Sequence, residues 1–171
     1  MVRIWTAGIL LAAFGTIMGI YAGSSKSAPE KVQLLSPVKT LELLQQHQED
    51  AIVVGSGTIP IYAFIDPECS ASQDFMQHIY GIIERNPERN RFYLFLYHLD
   101  GKDSDEYIAT IQGSDTPELL LKTHMVKHIR IETELADSET EDAVERVATM
   151  AREIGVYKRP YIISDGKVRG E

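Results

Sequence analysis

Residues 61–76 read IYAFIDPECSASQDFM, and this stretch decides the fold. Its first part is a continuous apolar run, which in a short segment is typical of a strand buried on both faces. The run ends at Asp66-Pro67, and a helical pattern begins at Cys69, the only cysteine of the chain. The apolar residues of that pattern recur at helical spacing: Phe75, Met76, Ile79, Ile82 and Ile83. We therefore predict a strand that delivers a thiol to a helix N-terminus, where unpaired backbone N–H groups and the helix dipole stabilise negative charge.

The elements after this helix predict a layered α/β fold. A second apolar run, Phe92–Leu99, predicts a second buried strand, and a strand, helix and strand at this spacing predict a right-handed parallel crossover. Residues 103–129 predict an interrupted helical insertion, and Ser138 opens a longer helix. The pair Asp165-Gly166 predicts a hairpin between two short strands. Together these patterns predict a mixed central sheet of four to five strands with helices on both faces.

The first 22 residues predict a segment that enters a membrane. After Arg3, residues 4–21 carry no charged side chain. About 18 apolar residues lie at the lower limit for a spanning helix and above the usual length of a signal-peptide core. An uncleaved anchor and a cleaved signal peptide ending near Ala22 are both consistent with the pattern. Because Arg3 precedes the apolar run, the positive-inside tendency places the rest of the chain outside the cytoplasm.

The remaining sequence divides into a linker and one domain. Residues 23–37 begin with Gly23 and a run rich in Ser, have no hydrophobic period before Val32, and predict a flexible linker; residues 38–171 predict a single domain. The net charge of −8, with no cluster of Lys and Arg, argues against nucleic-acid binding. A lone cysteine in an oxidising compartment forms no internal disulfide. Cys69 is therefore buried and inert, paired between molecules, or a free reactive thiol.

The order of elements and two motifs resemble the periplasmic disulfide isomerases of the DsbC/DsbG type. Residues 64–69, FIDPEC, resemble the Phe-x-Asp-x-x-Cys sequence before that family's reactive cysteine. Residues 155–163, GVYKRPYII, together with Gly166, resemble the family's segment around its cis-proline. The resemblance covers roughly residues 50–171 and implies a thioredoxin fold, a periplasmic location and protein thiols or disulfides as partners. It also implies that the Arg159–Pro160 bond is cis, lies beside Cys69 and binds substrate backbone.

The sequence departs from that family in two respects. The family pattern is Cys-x-x-Cys, whereas this chain has Cys69-Ser70-Ala71-Ser72, so Ser72 replaces the second thiol. We also expect no room before residue 50 for the family's separate N-terminal dimerisation domain. The first departure argues against oxidase and reductase turnover, and the second argues against dimerisation through such a domain.

A single thiol still permits the first step of thiol–disulfide exchange. A thiolate can attack a disulfide, but release of the mixed disulfide then needs a thiol from elsewhere. We expect Cys69 to attack and Ser72 to donate a hydrogen bond to its thiolate. Asp66 is either a proton relay beneath the thiol or only a cap of the following helix, and Glu68 opposes ionisation if it points at the sulfur.

Two functions remain open at this point. One is isomerase-like thiol–disulfide exchange at Cys69 in an exported, membrane-anchored protein. The other is a redox-inactive scaffold or partner-binding component of a bacterial envelope assembly, such as a conjugation or secretion system.

The histidines do not predict a metal site. His124 and His128 are four residues apart, a spacing compatible with two ligands on one helix face, but no convincing third ligand lies nearby. We therefore expect both histidines on an exposed helix face, and we expect neither a metal nor a cofactor.

Overall fold

The computed structural model describes residues 35–99 and 104–169. The predicted membrane segment, residues 1–22, lies outside this part, as do residues 23–34 of the predicted linker. Among the helices described, none combines the length and the apolar character needed to cross a membrane.

Five strands form one mixed sheet in the order β1-β3-β2-β4-β5. They are β1 (Ile52–Val54), β2 (Ile59–Ile65), β3 (Asn90–Leu96), β4 (Tyr161–Ser164) and β5 (Lys167–Arg169). The central pair, β2 and β3, is parallel, and the other three pairs are antiparallel. This arrangement confirms the predicted mixed sheet and its parallel crossover.

The helices lie before and between these strands. They are α1 (Pro37–Gln46), α2 (Ser70–Arg85), α3 (Asp105–Gln112), α4 (Pro117–Leu121) and α5 (Ser138–Ile154). A short 3-10 turn, Gln48–Asp50, follows α1, and a π turn, Lys122–Val126, continues α4. The helical insertion between the second central strand and the last long helix is thus α3, α4 and the π turn.

Side chains of β2 alternate between two cores, one on each face of the sheet. Ala63 and Ile65 pack with α2 and the helical insertion, whereas Tyr62 and Phe64 pack with α1 and α5. Because successive residues of a strand point to opposite faces, a strand covered on both sides needs an unbroken apolar sequence. Residues 61–65 meet this requirement, so the central position of β2 follows directly from the sequence.

Turn chemistry sets the ends of several elements. Gly155 ends α5 in the left-handed conformation, with φ of 84°, as expected for a C-terminal glycine. Asp165 and Gly166 have φ of 54° and 69° and join β4 to β5 in the predicted hairpin. Helix α5 begins at Ser138 as predicted, but its cap is Asp137, whose carboxylate accepts a hydrogen bond from the Thr140 amide at 2.8 Å.

Candidate functional site

Cys69 lies where β2 passes into α2. It occupies the N-cap position of α2 with φ of −92° and ψ of 117°, and its side chain is partly exposed. Its backbone N–H donates to the Asp66 carbonyl at 3.1 Å, and its carbonyl accepts from the Gln73 amide at 2.9 Å. No side chain caps α2 in the described structure, and the first helical turn contains no acidic residue. The thiol therefore sits at a helix N-terminus whose amides have no side-chain acceptor.

The segment that follows α5 brings Arg159 and Pro160 to the same edge of the sheet. Their peptide bond is cis, as the resemblance implied. Strands β2 and β4 pair with Phe64 opposite Tyr161. Extending this antiparallel register by two residues puts Arg159 opposite Asp66, at the end of β2 that leads to Cys69.

Asp66 joins these two segments through its carboxylate. Oδ2 accepts from Arg159 Nη1 at 2.6 Å. Oδ1 accepts from the Ser104 hydroxyl at 2.7 Å and from the Glu68 backbone N–H at 2.9 Å. The Asp66 side chain is completely buried, and only 10% of the Arg159 side chain is exposed. A buried charge pair is tolerated when hydrogen bonds satisfy the remaining oxygen, as they do here.

This geometry bears on the two roles considered for Asp66, a proton relay and a cap of α2. Asp66 is not the N-cap of α2, because Cys69 holds that position. Its carboxylate is occupied by an ion pair and two hydrogen bonds, so its evident effect is to hold the Arg159 segment against the turn before the thiol. Arg159 Nε is buried and, within residues 35–99 and 104–169, has no hydrogen-bond partner.

Ser72 faces the protein interior in the first turn of α2. It is fully buried, and its Oγ accepts a hydrogen bond from the Asp66 backbone N–H at 3.2 Å. In the described part of the chain no hydrogen bond joins Ser72 to the Cys69 sulfur, so its donation to a thiolate stays a prediction. Ser72 thus supports the backbone of the turn before α2.

The burial of His124 is a feature that the sequence did not predict. Only 8% of the residue is exposed, so the expected exposed helix face is wrong for His124. The cause is the π turn, in which the Lys127 N–H bonds to the Lys122 carbonyl at 3.1 Å. A π turn adds one residue per turn and rotates the positions that follow. His128 is exposed, as expected, but lies beyond the turn with φ of 54°.

The buried His124 ring contacts Glu68, the residue before Cys69. His124 Nε2 lies 2.6 Å from Glu68 Oε1, and the ring stacks on Tyr107 with centroids 4.6 Å apart. Beside this pair is a groove of about 370 Å³ lined by Glu68, Gln73, Tyr107, His124, His128 and Arg130. Glu68 therefore directs its carboxylate towards His124.

Two of these partners could not be found from local sequence patterns. The Ser104–Asp66 contact joins residues 38 apart, and the His124–Glu68 contact joins residues 56 apart. Neither Ser104 nor His124 belongs to a motif that would have indicated its partner. Within the described ranges there is also no group of three or more His, Cys, Asp or Glu residues that could hold a metal ion.

Comparison with known proteins yields similar structures but no matching sequence family. Neither a family model nor a curated protein matches the chain. The catalytic domain of Proteus mirabilis ScsC is 13% identical, with a TM-score of 0.63 over 76% of this chain and 87% of that one. A periplasmic thioredoxin-like protein from Salmonella enterica serovar Typhimurium is 14% identical, with a TM-score of 0.62 over 76% and 86%.

A third similar structure is the thiol-disulfide exchange protein alpha-DsbA2 from Wolbachia pipientis. It is 12% identical, with a TM-score of 0.57 over 77% of this chain and 88% of that one. Identities this low establish the fold alone. The element order, the mixed five-stranded sheet and these similarities together show that the chain has the thioredoxin fold.

Proposed function

We propose that this protein is an exported thiol–disulfide exchange protein that uses Cys69 as a single reactive thiol. The observation that carries the proposal is the position of Cys69, partly exposed at the uncapped N-terminus of α2. The Arg159–Pro160 segment, which Asp66 anchors, supports it as the neighbouring surface for substrate backbone. The similar structures include a thiol-disulfide exchange protein, which agrees with this chemistry.

The reaction has two balanced steps. The Cys69 thiolate attacks one sulfur of a substrate disulfide, forms a mixed disulfide with it and expels the other sulfur as a thiolate. A second substrate thiolate then attacks the substrate sulfur of the mixed disulfide and expels the Cys69 thiolate. The substrate gains a rearranged disulfide, and neither protein is oxidised or reduced overall. This outcome is isomerisation of the DsbC/DsbG kind, and it needs no second cysteine in this chain.

The location proposed for this activity is the periplasm. The charge-free segment 4–21 supports attachment to the inner membrane or export with a cleaved signal, and a similar structure belongs to a protein described as periplasmic. The partners in this proposal are proteins that carry disulfides or free thiols.

The test is to trap and then release the mixed disulfide. The purified protein is incubated with a peptide that contains one disulfide and one additional cysteine, and adducts are followed by intact mass. We expect a transient adduct on Cys69 and rearrangement of the peptide faster than its uncatalysed exchange, whereas Cys69→Ser should give no adduct and only the uncatalysed rate. A stable adduct without faster rearrangement, or no adduct, would contradict the proposal.

A second function has one observation in its favour. Ser72 replaces the thiol that would release a mixed disulfide, and its hydroxyl supports the backbone amide of Asp66. This favours a redox-inactive scaffold, or a partner-binding component of an envelope assembly such as a conjugation or secretion system. For that function, Cys69→Ser should leave the cellular phenotype of the wild type unchanged, whereas loss of the whole protein should not.

A further inference from the structure

Two carboxylates precede Cys69 in the chain, and each is held by a basic side chain. Asp66 is paired with Arg159, and Glu68 is paired with His124 at 2.6 Å. The Glu68 side chain is 40% exposed, whereas that of His124 is 9% exposed. A partly exposed carboxylate is thus held by a nearly buried ring.

The position of Glu68 matters because the N-terminus of α2 is open. No side chain caps this helix in the part of the chain described, and its first turn has no acidic residue. Carboxylates are stabilised at such a terminus by the same amides and dipole that stabilise a thiolate. If Glu68 were released, its carboxylate could reach these amides and compete with Cys69 for them. It would also add a like charge beside the sulfur.

We propose that His124 is a positioning residue for Cys69, because it holds the Glu68 carboxylate and so leaves the N-terminal amides of α2 to the thiolate. This inference rests on the proposed function, in which the thiolate of Cys69 is the reacting group. It assigns to the helical insertion a direct effect on the thiol site.

The surroundings of His124 are suited to this task. One face of its ring is covered by Tyr107, and the π turn fixes its backbone. The other basic groups that line the same groove are His128 and Arg130. His128 Nε2 lies 2.9 Å from Gln77 Nε2, so His128 is engaged with α2 further along the helix. The charged side chains of Asp66 and Arg159 are paired with each other.

The decisive comparison is between two variants of Glu68, whose exposure makes both compatible with folding. Glu68→Asp keeps the charge but shortens the side chain by one methylene, which breaks the contact with His124. Glu68→Gln removes the charge and keeps the length. The rate of Cys69 alkylation by iodoacetamide is measured as a function of pH for both variants.

We expect Glu68→Asp to move the pH–rate profile to higher pH and to slow alkylation at pH 7 by about two- to fivefold, the size of a helix-terminus charge effect. Glu68→Gln should react at least as fast as the wild type. Equal profiles for Glu68→Asp and the wild type would overturn the inference.

A second set of variants tests His124 itself. His124→Leu should slow alkylation as Glu68→Asp does, and adding Glu68→Gln to it should restore the rate. His78→Leu, which removes an exposed histidine of α2, is the matched control and should leave the profile unchanged. If Cys69 of the double variant were still alkylated slowly, the inference would be overturned. If His124→Leu fails to fold, the comparison of Glu68→Asp with Glu68→Gln alone tests the inference.

This experiment also separates the inference from the proposed function. Alkylation depends on the thiolate and needs no disulfide substrate. If Cys69 fails to rearrange disulfides while Glu68→Asp still shifts the profile, the proposed function fails and the positioning role stands. If disulfides are rearranged and the profile does not move, only the positioning role fails.

Discussion

The guanidinium of Arg159 lies 2.6 Å from the Asp66 carboxylate and so joins the residue before cis-Pro160 to the turn that leads into Cys69. Asp66 is completely buried, and 10% of the Arg159 side chain is exposed. Two segments far apart in sequence are thereby fixed at one edge of the sheet. This ion pair reinforces the β2–β4 pairing that places the surface proposed for substrate backbone at the end of β2.

Removing the cation of this pair should strongly destabilise the protein. Arg159→Met leaves the buried Asp66 carboxylate without its counter-charge, for which we expect a loss of about 3–5 kcal/mol in the free energy of unfolding. Urea denaturation measures this loss. The control is Arg152→Met, which breaks the exposed pair between Arg152 and Glu145 and should cost below about 1 kcal/mol. Equal losses for the two variants would show that the Asp66–Arg159 pair is not the critical contact.

Ser72 offers a matched test of the turn before α2. Ser72→Ala removes the acceptor of the buried Asp66 N–H, and an unsatisfied buried donor costs about 1–3 kcal/mol. Ser70→Ala, two residues earlier and exposed, should change stability by less than about 0.5 kcal/mol. Chemical denaturation of both variants distinguishes the two positions. If the two variants are equally stable, Ser72 has no supporting role.

Two glycines should respond in opposite directions to substitution by alanine. Gly166 has φ of 69°, and an added Cβ would lie 2.0 Å from the Pro37 carbonyl oxygen, so Gly166→Ala should destabilise the protein by more than about 1 kcal/mol. Gly81 lies inside α2, where an added Cβ meets only the end of Arg85 at 3.6 Å. Gly81→Ala should therefore stabilise the protein by about 0.5–1 kcal/mol. Thermal denaturation of the two variants checks both signs.

The cap of α5 should contribute stability that depends on pH. The hydrogen bond from the Thr140 amide holds the pKa of Asp137 below its usual range. A carboxyl group with a lowered pKa in the folded state stabilises the protein above its unfolded-state pKa and loses this contribution as the pH falls through the folded-state pKa. The wild type should therefore lose more stability than Asp137→Ala between about pH 5 and pH 2. Parallel losses for the two proteins would contradict this role.

The fold could be predicted from the sequence where the local residue pattern matches the burial and the turn geometry that the assembled fold requires. The apolar run of residues 61–65 is typical of a strand covered on both faces, and the Asp165-Gly166 pair suits a tight hairpin. The end of β3 was less well predicted, because the apolar pattern continues to Leu99 whereas the strand ends at Leu96. An apolar run reports removal from solvent, and Tyr97, His98 and Leu99 are half-buried although they follow the strand.

The site was predicted in part, and the missing part has a physical reason. That Pro160 lies beside Cys69 stays a prediction. The position of Cys69 at a helix start and the cis Arg159–Pro160 bond followed from the motifs. The inward turn of His124 did not, because it depends on a π turn that a helical wheel with 3.6 residues per turn does not describe. The Asp66–Arg159 pair needed the register between β2 and β4, which only the assembled sheet provides.

The most direct test of the central claim is the rate at which Cys69 reacts with a small neutral disulfide at pH 7, compared with free cysteine under the same conditions. Because the thiol is partly exposed at an uncapped helix N-terminus, we predict a rate constant higher than that of free cysteine. A rate constant lower than that of free cysteine would contradict a reactive thiol and leave the scaffold function.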